Sequence, residues 1–174
     1  MMEIKVKLTF ADIFRYNLNV GYKSIFSKVI LLIGFLLLAL LIYNFSIAQG
    51  PFLDIVSKNI ILIIVVFLAL LSKFIKIWKI TAMQATTPTF QEIFIYKFNS
   101  DSIYLQYGDN SDTVLWNIYE KVEETKNDFR FFVDSVQAQI VPKHCLKNAD
   151  ELNSLRKIIE QALPKEKYTL KKYT

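Results

Sequence analysis

The 174-residue chain is 53% hydrophobic and carries a formal charge of +5, with 4 Gly, 4 Pro and a single cysteine. A lone Cys145 excludes an intrachain disulfide, which suits a reducing compartment, and so little Gly and Pro excludes a long flexible arm. The charge is lopsided: residues 1–79 hold 9 Lys/Arg against 3 Asp/Glu, and residues 80–174 hold 12 against 13, so no basic patch of the kind that binds nucleic acid marks the second half.

Glu3–Phe10 alternates Ile4, Val6, Leu8 and Phe10 against Glu3, Lys5, Lys7 and Thr9, a strand pattern. One strand is not stable alone, so it is expected to join the sheet of the later domain. Thr9-Phe10-Ala11-Asp12 reads as a helix start, with Thr9 as N-cap and an acid three residues on. Ile13, Phe14, Tyr16 and Leu18 then predict a short amphipathic helix ending near Gly21, on a membrane surface or leading into a span. Residues 1–28 form this N-terminal strand and helix.

Val29–Ile47 is a 19-residue run whose only polar members are Asn44 and Ser46, and it is apolar on every face. At about 1.5 Å per residue it is long enough to cross a bilayer core of roughly 30 Å. The second run, Ile60–Leu71, reaches spanning length only if continued to Trp78, with Lys73 and Lys76 snorkelling toward head groups. Residues 29–79 are therefore expected to form a transmembrane helical hairpin turning at Gln49-Gly50-Pro51. Ser46-Ile47-Ala48 resembles a signal-peptide cleavage site, but 28 patterned residues before the apolar run do not resemble an n-region. Lys5, Lys7, Arg15, Lys23 and Lys28 precede the first span and Lys73, Lys76 and Lys79 close the second, while the connector has only Lys58. The positive-inside rule then puts both termini in the cytosol and explains the basic surplus as a contact with anionic lipid. Neither span has a buried acid or a GxxxG pair, and Gly34 stands alone, so the hairpin reads as an anchor rather than a transporter; homo-oligomers stay open.

From Ile80 the period changes to two. Phe94, Tyr96 and Phe98 precede the turn Asn99-Ser100-Asp101, and Ile103, Leu105 and Tyr107 precede Gly108-Asp109-Asn110-Ser111. Val114, Trp116 and Ile118 predict a strand continuing through Val122. Phe129, Phe131 and Val133, then Val136, Ala138 and Ile140, predict two more strands joined at Asp134-Ser135. Asn148-Ala149-Asp150-Glu151 opens a helix whose Leu152, Leu155, Ile158, Ile159 and Leu163 share a face, stopped by Pro164. The expected fold is an α+β membrane protein: a transmembrane helical hairpin followed by a cytosolic PH-like antiparallel β-barrel or sheet over residues 80–174, capped by a C-terminal α-helix.

The order of parts resembles the bacterial YcxB-like membrane proteins. The resemblance rests on Leu8-Thr9-Phe10-Ala11-Asp12, the two apolar runs, and Trp116-x-Ile118 leading to Val122 and Glu124. Phe129–Val133 and Ile140-Val141-Pro142-Lys143 before the last helix complete it. Cys145-Leu146 stand where similar proteins have an aromatic. The resemblance implies two membrane helices, a PH-like C-terminal domain and a bacterial inner-membrane location; it implies no reaction.

The sequence assigns no catalytic, cofactor-binding or metal-binding residue. His144 and Cys145 are adjacent, so in an extended segment their side chains diverge, and no HExxH, CxxC, GxSxG or phosphate-loop spacing is present. Glu120, Glu123, Glu124 and Asp128 read as a solvated strand end interleaved with Lys121 and Lys126. Phosphoinositide binding needs a basic loop, whereas Asn99–Ser102, read as the first hairpin, is neutral to acidic. Trp116, Phe94, Tyr96, Phe129 and Phe131 read as core rather than a base-stacking platform. The tail 165–174, with four lysines, reads either as a lipid contact or as a frayed terminus. The expected function is a membrane-anchored, non-catalytic binding module with a protein or peptide partner and no nucleic acid. A toxin-immunity or regulatory membrane protein is the alternative, and an enzyme a weaker one.

Overall fold

The computed structural model describes residues 1–171; the last part of the basic tail weighed for lipid contact, 172–174, lies outside the described residues. The chain divides into two compact units, residues 1–12 with 85 onward, and residues 13–84.

The helical unit is built from α1 (Phe10–Gly21), α2 (Ile25–Ile47) and α3 (Phe52–Thr86). Ser24 caps α2 by accepting the Ser27 N–H at 3.2 Å. At 35 residues α3 is about 52 Å long, well beyond the apolar run that predicts it. Both α2 and α3 are long and apolar enough to cross a membrane. Gly50 turns the chain between them at φ +121°, a conformation open to glycine at little cost. Near that turn Asn44 Nδ2 donates to Asn59 Oδ1 at 3.0 Å, and Asn59 Nδ2 donates to the Ile55 carbonyl at 2.9 Å, so the pair links α2 to α3.

Gly34, isolated in sequence, lies tight against α3. A Cβ built there would lie 2.5 Å from Leu70 Cδ2 and 3.1 Å from Ala69 Cβ. Gly34→Leu is expected to destabilise the hairpin by about 1–3 kcal/mol through overpacking. SDS-titrated unfolding should show the loss, with exposed Leu36→Ala as the silent control. Equal curves for the two variants would refute the close approach.

The expected amphipathic helix packs on α3. Phe14 sits edge-on to Phe74 (5.6 Å) and Trp78 (5.4 Å), and Asn17 Nδ2 donates to Thr81 Oγ1 (2.9 Å) and Gln84 Oε1 (2.7 Å). Lys73 Nζ donates to Ser27 Oγ and lies 5.1 Å from the Tyr22 ring centroid.

The second unit contains, among the described residues, two open four-stranded sheets rather than one closed barrel. The first has the order β1 (Met2–Val6), β2 (Phe94–Phe98), β3 (Ser102–Tyr107) and β4 (Asn110–Leu115), all antiparallel. The amino-terminal strand thus joins the later sheet, with Ile4 opposite Tyr96. A short helix, α4 (Pro88–Gln91), precedes β2. Because β1 and β2 are neighbours, the first connection of this sheet is the whole helical insert. The Asn99–Ser102 turn is the second connection of the sheet and its first hairpin, closed by the Asn99 N–H on the Ser102 carbonyl at 3.0 Å.

The second sheet has the order β7 (Ala138–Pro142), β6 (Asp128–Phe132), β5 (Lys121–Glu124) and β8 (Tyr168–Thr169), with β8 parallel to β5. The strand expected to run from Val114 through Val122 is broken. Trp116–Ile118 forms a 3-10 turn between β4 and β5. The turn lets Trp116 and Tyr119, three apart, both point inward, where a strand would send them to opposite faces. Trp116 Nε1 donates to the Asn99 carbonyl at 3.0 Å, and Tyr119 Oη to Gln139 Oε1 at 2.7 Å. Ile118, expected on the same face as Trp116, is 55% exposed.

Register also corrects the last strand. Val136 lies outside β7, and Val141, opposite Phe129, joins the main core, while Ile140, opposite Arg130, is buried as well. The cause is a loop longer than the expected turn. Asp134 Oδ1 accepts the Val136 and Gln137 N–H groups, and Val133 N–H closes the loop onto the Gln137 carbonyl. Helix α5 (Ala149–Ala162) starts where expected, with Asn148 Oδ1 accepting the Glu151 N–H at 2.9 Å. Its Leu155 and Ile159, with Leu163 beyond its end, complete a core shared with Val6, Phe98, Ile103, Trp116, Tyr119, Val122, Phe129 and Phe131.

Candidate functional site

The four acids that follow Trp116, Glu120, Glu123, Glu124 and Asp128, do not gather into one site. Along β5, Val122 and Glu124 point inward while Lys121 and Glu123 point out, as period two requires, and the outer pair meets at 2.6 Å. Glu120 is exposed. Glu124 and Asp128, read from sequence as solvated, are buried. Asp128 accepts from Arg130 Nε at 2.8 Å and from Thr125 Oγ1 at 2.7 Å, a pairing two residues apart on one face of β6.

Glu124 is the centre of a buried charge cluster that joins four elements. Its Oε1 accepts from Lys143 Nζ at 2.5 Å and Arg156 Nη2 at 2.7 Å. Its Oε2 accepts from Arg156 Nε and from the Lys171 N–H, each at 2.9 Å. Arg156 Nη1 donates in turn to Asn153 Oδ1 at 3.0 Å. Burial pushes the Glu124 carboxyl up, but the bonds from Arg156, Lys143 and the Lys171 amide outweigh it and hold it below its ordinary 4.5. A carboxylate so saturated stays ionised and is an anchor for its neighbours rather than a proton donor. One signal could have found the cluster: Arg156 falls on the apolar stripe of α5, four residues after Leu152, and a charge on a buried face demands a buried counter-charge.

His144 and Cys145 occupy a 3-10 turn, Lys143–Cys145, rather than an extended segment, so their side chains do not diverge. Cys145 Sγ lies 3.6 Å from His144 Nδ1, and His144 Nε2 lies 2.9 Å from Asp12 Oδ2. Asp12 also accepts from the Thr9 hydroxyl (2.6 Å) and the Thr9 N–H (2.9 Å), which is the expected capping box. Burial raises the Asp12 carboxyl, and the bonds from Thr9 and His144 bring it net below its ordinary 3.8. The Cys145 thiol is pushed up by burial, with the Asp12 charge adding and the Lys7 amide opposing. Through these contacts the trio ties the start of α1 to the turn that follows β7. Cys145 and Leu146, at the position where an aromatic was expected, pack on the core.

Both lowered carboxyls give the same sign of pH dependence. The unfolded chain takes up protons first, so the stability they contribute is complete above pH 4.5 and is lost as pH falls through the folded values. The thermal midpoint of the β-unit should hold steady from neutral pH to 4.5 and then drop. A midpoint still flat well below pH 3.8 would refute the assignment.

Trp116, Tyr96, Phe129 and Phe131 are core, and Phe94 packs beside them. Among the described residues no three His, Cys, Asp or Glu side chains converge where a metal ion could sit. A surface cleft of about 630 Å³ runs between Met1–Glu3 and the Glu151, Ser154 and Lys157 side of α5. Its charges alternate and pair locally, as in Lys147–Glu151 at 3.6 Å, so it offers no field of one sign.

The fold is that of an α+β chain with two long apolar helices placed between the first and second strands of a β-unit. Residues 98–159 match the family model described as YcxB-like protein, so the chain carries a YcxB-like segment running from the end of β2 into α5. The chain matches no curated protein and no solved structure.

Proposed function

We propose that this chain is a membrane-anchored, non-catalytic binding module at the cytosolic face of a bacterial inner membrane, in which a PH-like unit presents a sheet edge to an extended protein segment. The observation that carries the reading is the pairing of β1 with β2 across the helical insert. Val6 and Phe94 are neighbours, so the chain between them must cross a bilayer an even number of times, and two apolar helices supply two crossings. Only 11% of each apolar window is buried, whereas a core helix of a soluble protein would be mostly covered. The lysines flanking the insert favour the cytosolic side for both termini. Two sheets closed by one C-terminal helix fit the PH-like plan, with the membrane hairpin standing in for the first loop. Sheet edges are where such units accept extended chains.

The test is photo-crosslinking in native membranes from single positions on the β-unit, such as Thr113 on edge strand β4, exposed Ile118, and Thr169 on β8. Discrete adducts with another protein are expected from at least one face. Adducts with lipid alone at every position would remove the reading. A C-terminal reporter active in the periplasm would overturn the orientation.

A further inference from the structure

The shortest strand of the β-unit, β8, lies on the outer edge of β5. Strand β8 contributes two paired positions, Tyr168 opposite Val122 and Thr169 opposite Glu123, and runs parallel to β5, the less stable pairing mode. The flanking residues add what backbone pairing lacks. Lys167 Nζ donates to the Tyr119 carbonyl at 3.0 Å, Tyr168 and Leu170 pack half-buried on the core, and the Lys171 N–H donates to Glu124 Oε2 at 2.9 Å. Lys165 closes over the Tyr168 ring at 4.4 Å.

The β5 side of this contact does not depend on the tail. Glu124 is fixed by Lys143 and Arg156, and the Tyr119 carbonyl is fixed by the turn after Trp116, whose carbonyl accepts the Tyr119 N–H at 3.2 Å. Five consecutive residues, 167–171, therefore meet a preformed row. A carbonyl takes an ammonium, two apolar seats take an aromatic and an aliphatic side chain, a strand edge takes the backbone, and a buried carboxylate takes a final amide.

We propose that the outer edge of β5 is a peptide-docking groove, that it reads an extended segment of the pattern cation–aromatic–x–aliphatic lying parallel to β5, and that residues 167–171 are its resident occupant, displaceable by a partner segment of the same chemistry. This rests on the binding-module reading above and names the edge that does the binding. The tail is tethered through Pro164 and competes as an intramolecular ligand at an effective concentration on the order of millimolar. Release of the tail, not creation of a new surface, is what admits a partner.

The experiment uses the full-length chain in lipid nanodiscs and a fluorescent peptide copying residues 165–172. Tyr168→Ser with Leu170→Ser empties the two apolar seats in cis. This variant is expected to bind the peptide saturably, and the unaltered chain to bind it about tenfold or more weakly because its own tail competes. A peptide with serine at both seat positions should bind neither. Thr169→Pro is the second variant: it removes the strand N–H while leaving the core residues of the β-unit untouched, and it too should admit the peptide. No saturable binding by either variant, each with a cooperative thermal melt, would overturn the proposal. Equal affinity for the unaltered chain and the variants would also overturn it, since the peptide would then sit elsewhere. Protein adducts in the crosslinking experiment with no peptide binding here would sink this edge and leave the binding-module reading standing.

Discussion

Arg156→Ala is expected to cost the β-unit about 3–5 kcal/mol, because it leaves Glu124 buried with half of its donors gone. Arg156 supplies two of the four hydrogen bonds to that carboxylate, and its side chain is only 6% exposed, so water cannot replace it. Lys143, 20% exposed, can turn outward, and it would leave the carboxylate still poorer in partners if it did. The cluster is a device of position as much as of stability. Replacing Glu124 by Leu and Arg156 by Met together should restore most of the loss, to within about 1–2 kcal/mol of the starting chain, since apolar pairs of similar volume commonly match buried ion pairs. The same double variant removes the acceptor for the Lys171 amide, so the tail should loosen while the unit stays folded. Thermal melts of the purified chain, paired with hydrogen exchange at the amides of 168–171, measure both effects. If the single and double variants melt alike, the cost is one of packing and not of an orphaned charge.

Most of what the sequence reveals depends on near neighbours, the joining of β1 to the later sheet being the exception. The apolar runs mark α2 and α3 because an unbroken apolar stretch of that length is legible without any distant partner. The Thr9–Asp12 box and the Asn148 cap appear as written because each closes within three residues. The charge clusters were hidden for the opposite reason. Glu124 finds Lys143 19 residues away and Arg156 32 away, and Asp12 finds His144 across 132 residues, so a local window full of Lys and Glu looks solvated. Strand β8 carries no alternation at all, since two paired residues in a lysine-rich tail give no period to detect. At Trp116 the alternating pattern misled: Val114, Trp116 and Ile118 look like one face of a strand, but a buried indole seeking the Asn99 carbonyl and a buried phenol seeking Gln139 are both satisfied only if the chain turns.

That corner decides the second large effect. Phe131→Ala should destabilise the β-unit by about 3–5 kcal/mol, the range for emptying a fully buried aromatic site. Its ring lies 5.7 Å from Phe98 and from Tyr119 and 6.2 Å from Trp116, so it touches the first sheet, the second sheet's approach and the turn between them. The surrounding rings belong to separate strands with their own registers, and a void there cannot close without sliding one sheet against the other. Ile118→Ala is the informative companion. A continuous strand would bury Ile118 beside Trp116 and make its loss costly; with the 3-10 turn it stands exposed, and the change should fall within about 0.5 kcal/mol. Chemical unfolding followed by tryptophan fluorescence separates the two. A large loss at Ile118 would restore the unbroken strand and remove the inward Tyr119 on which the Lys167 contact, and with it the β5 groove, depends.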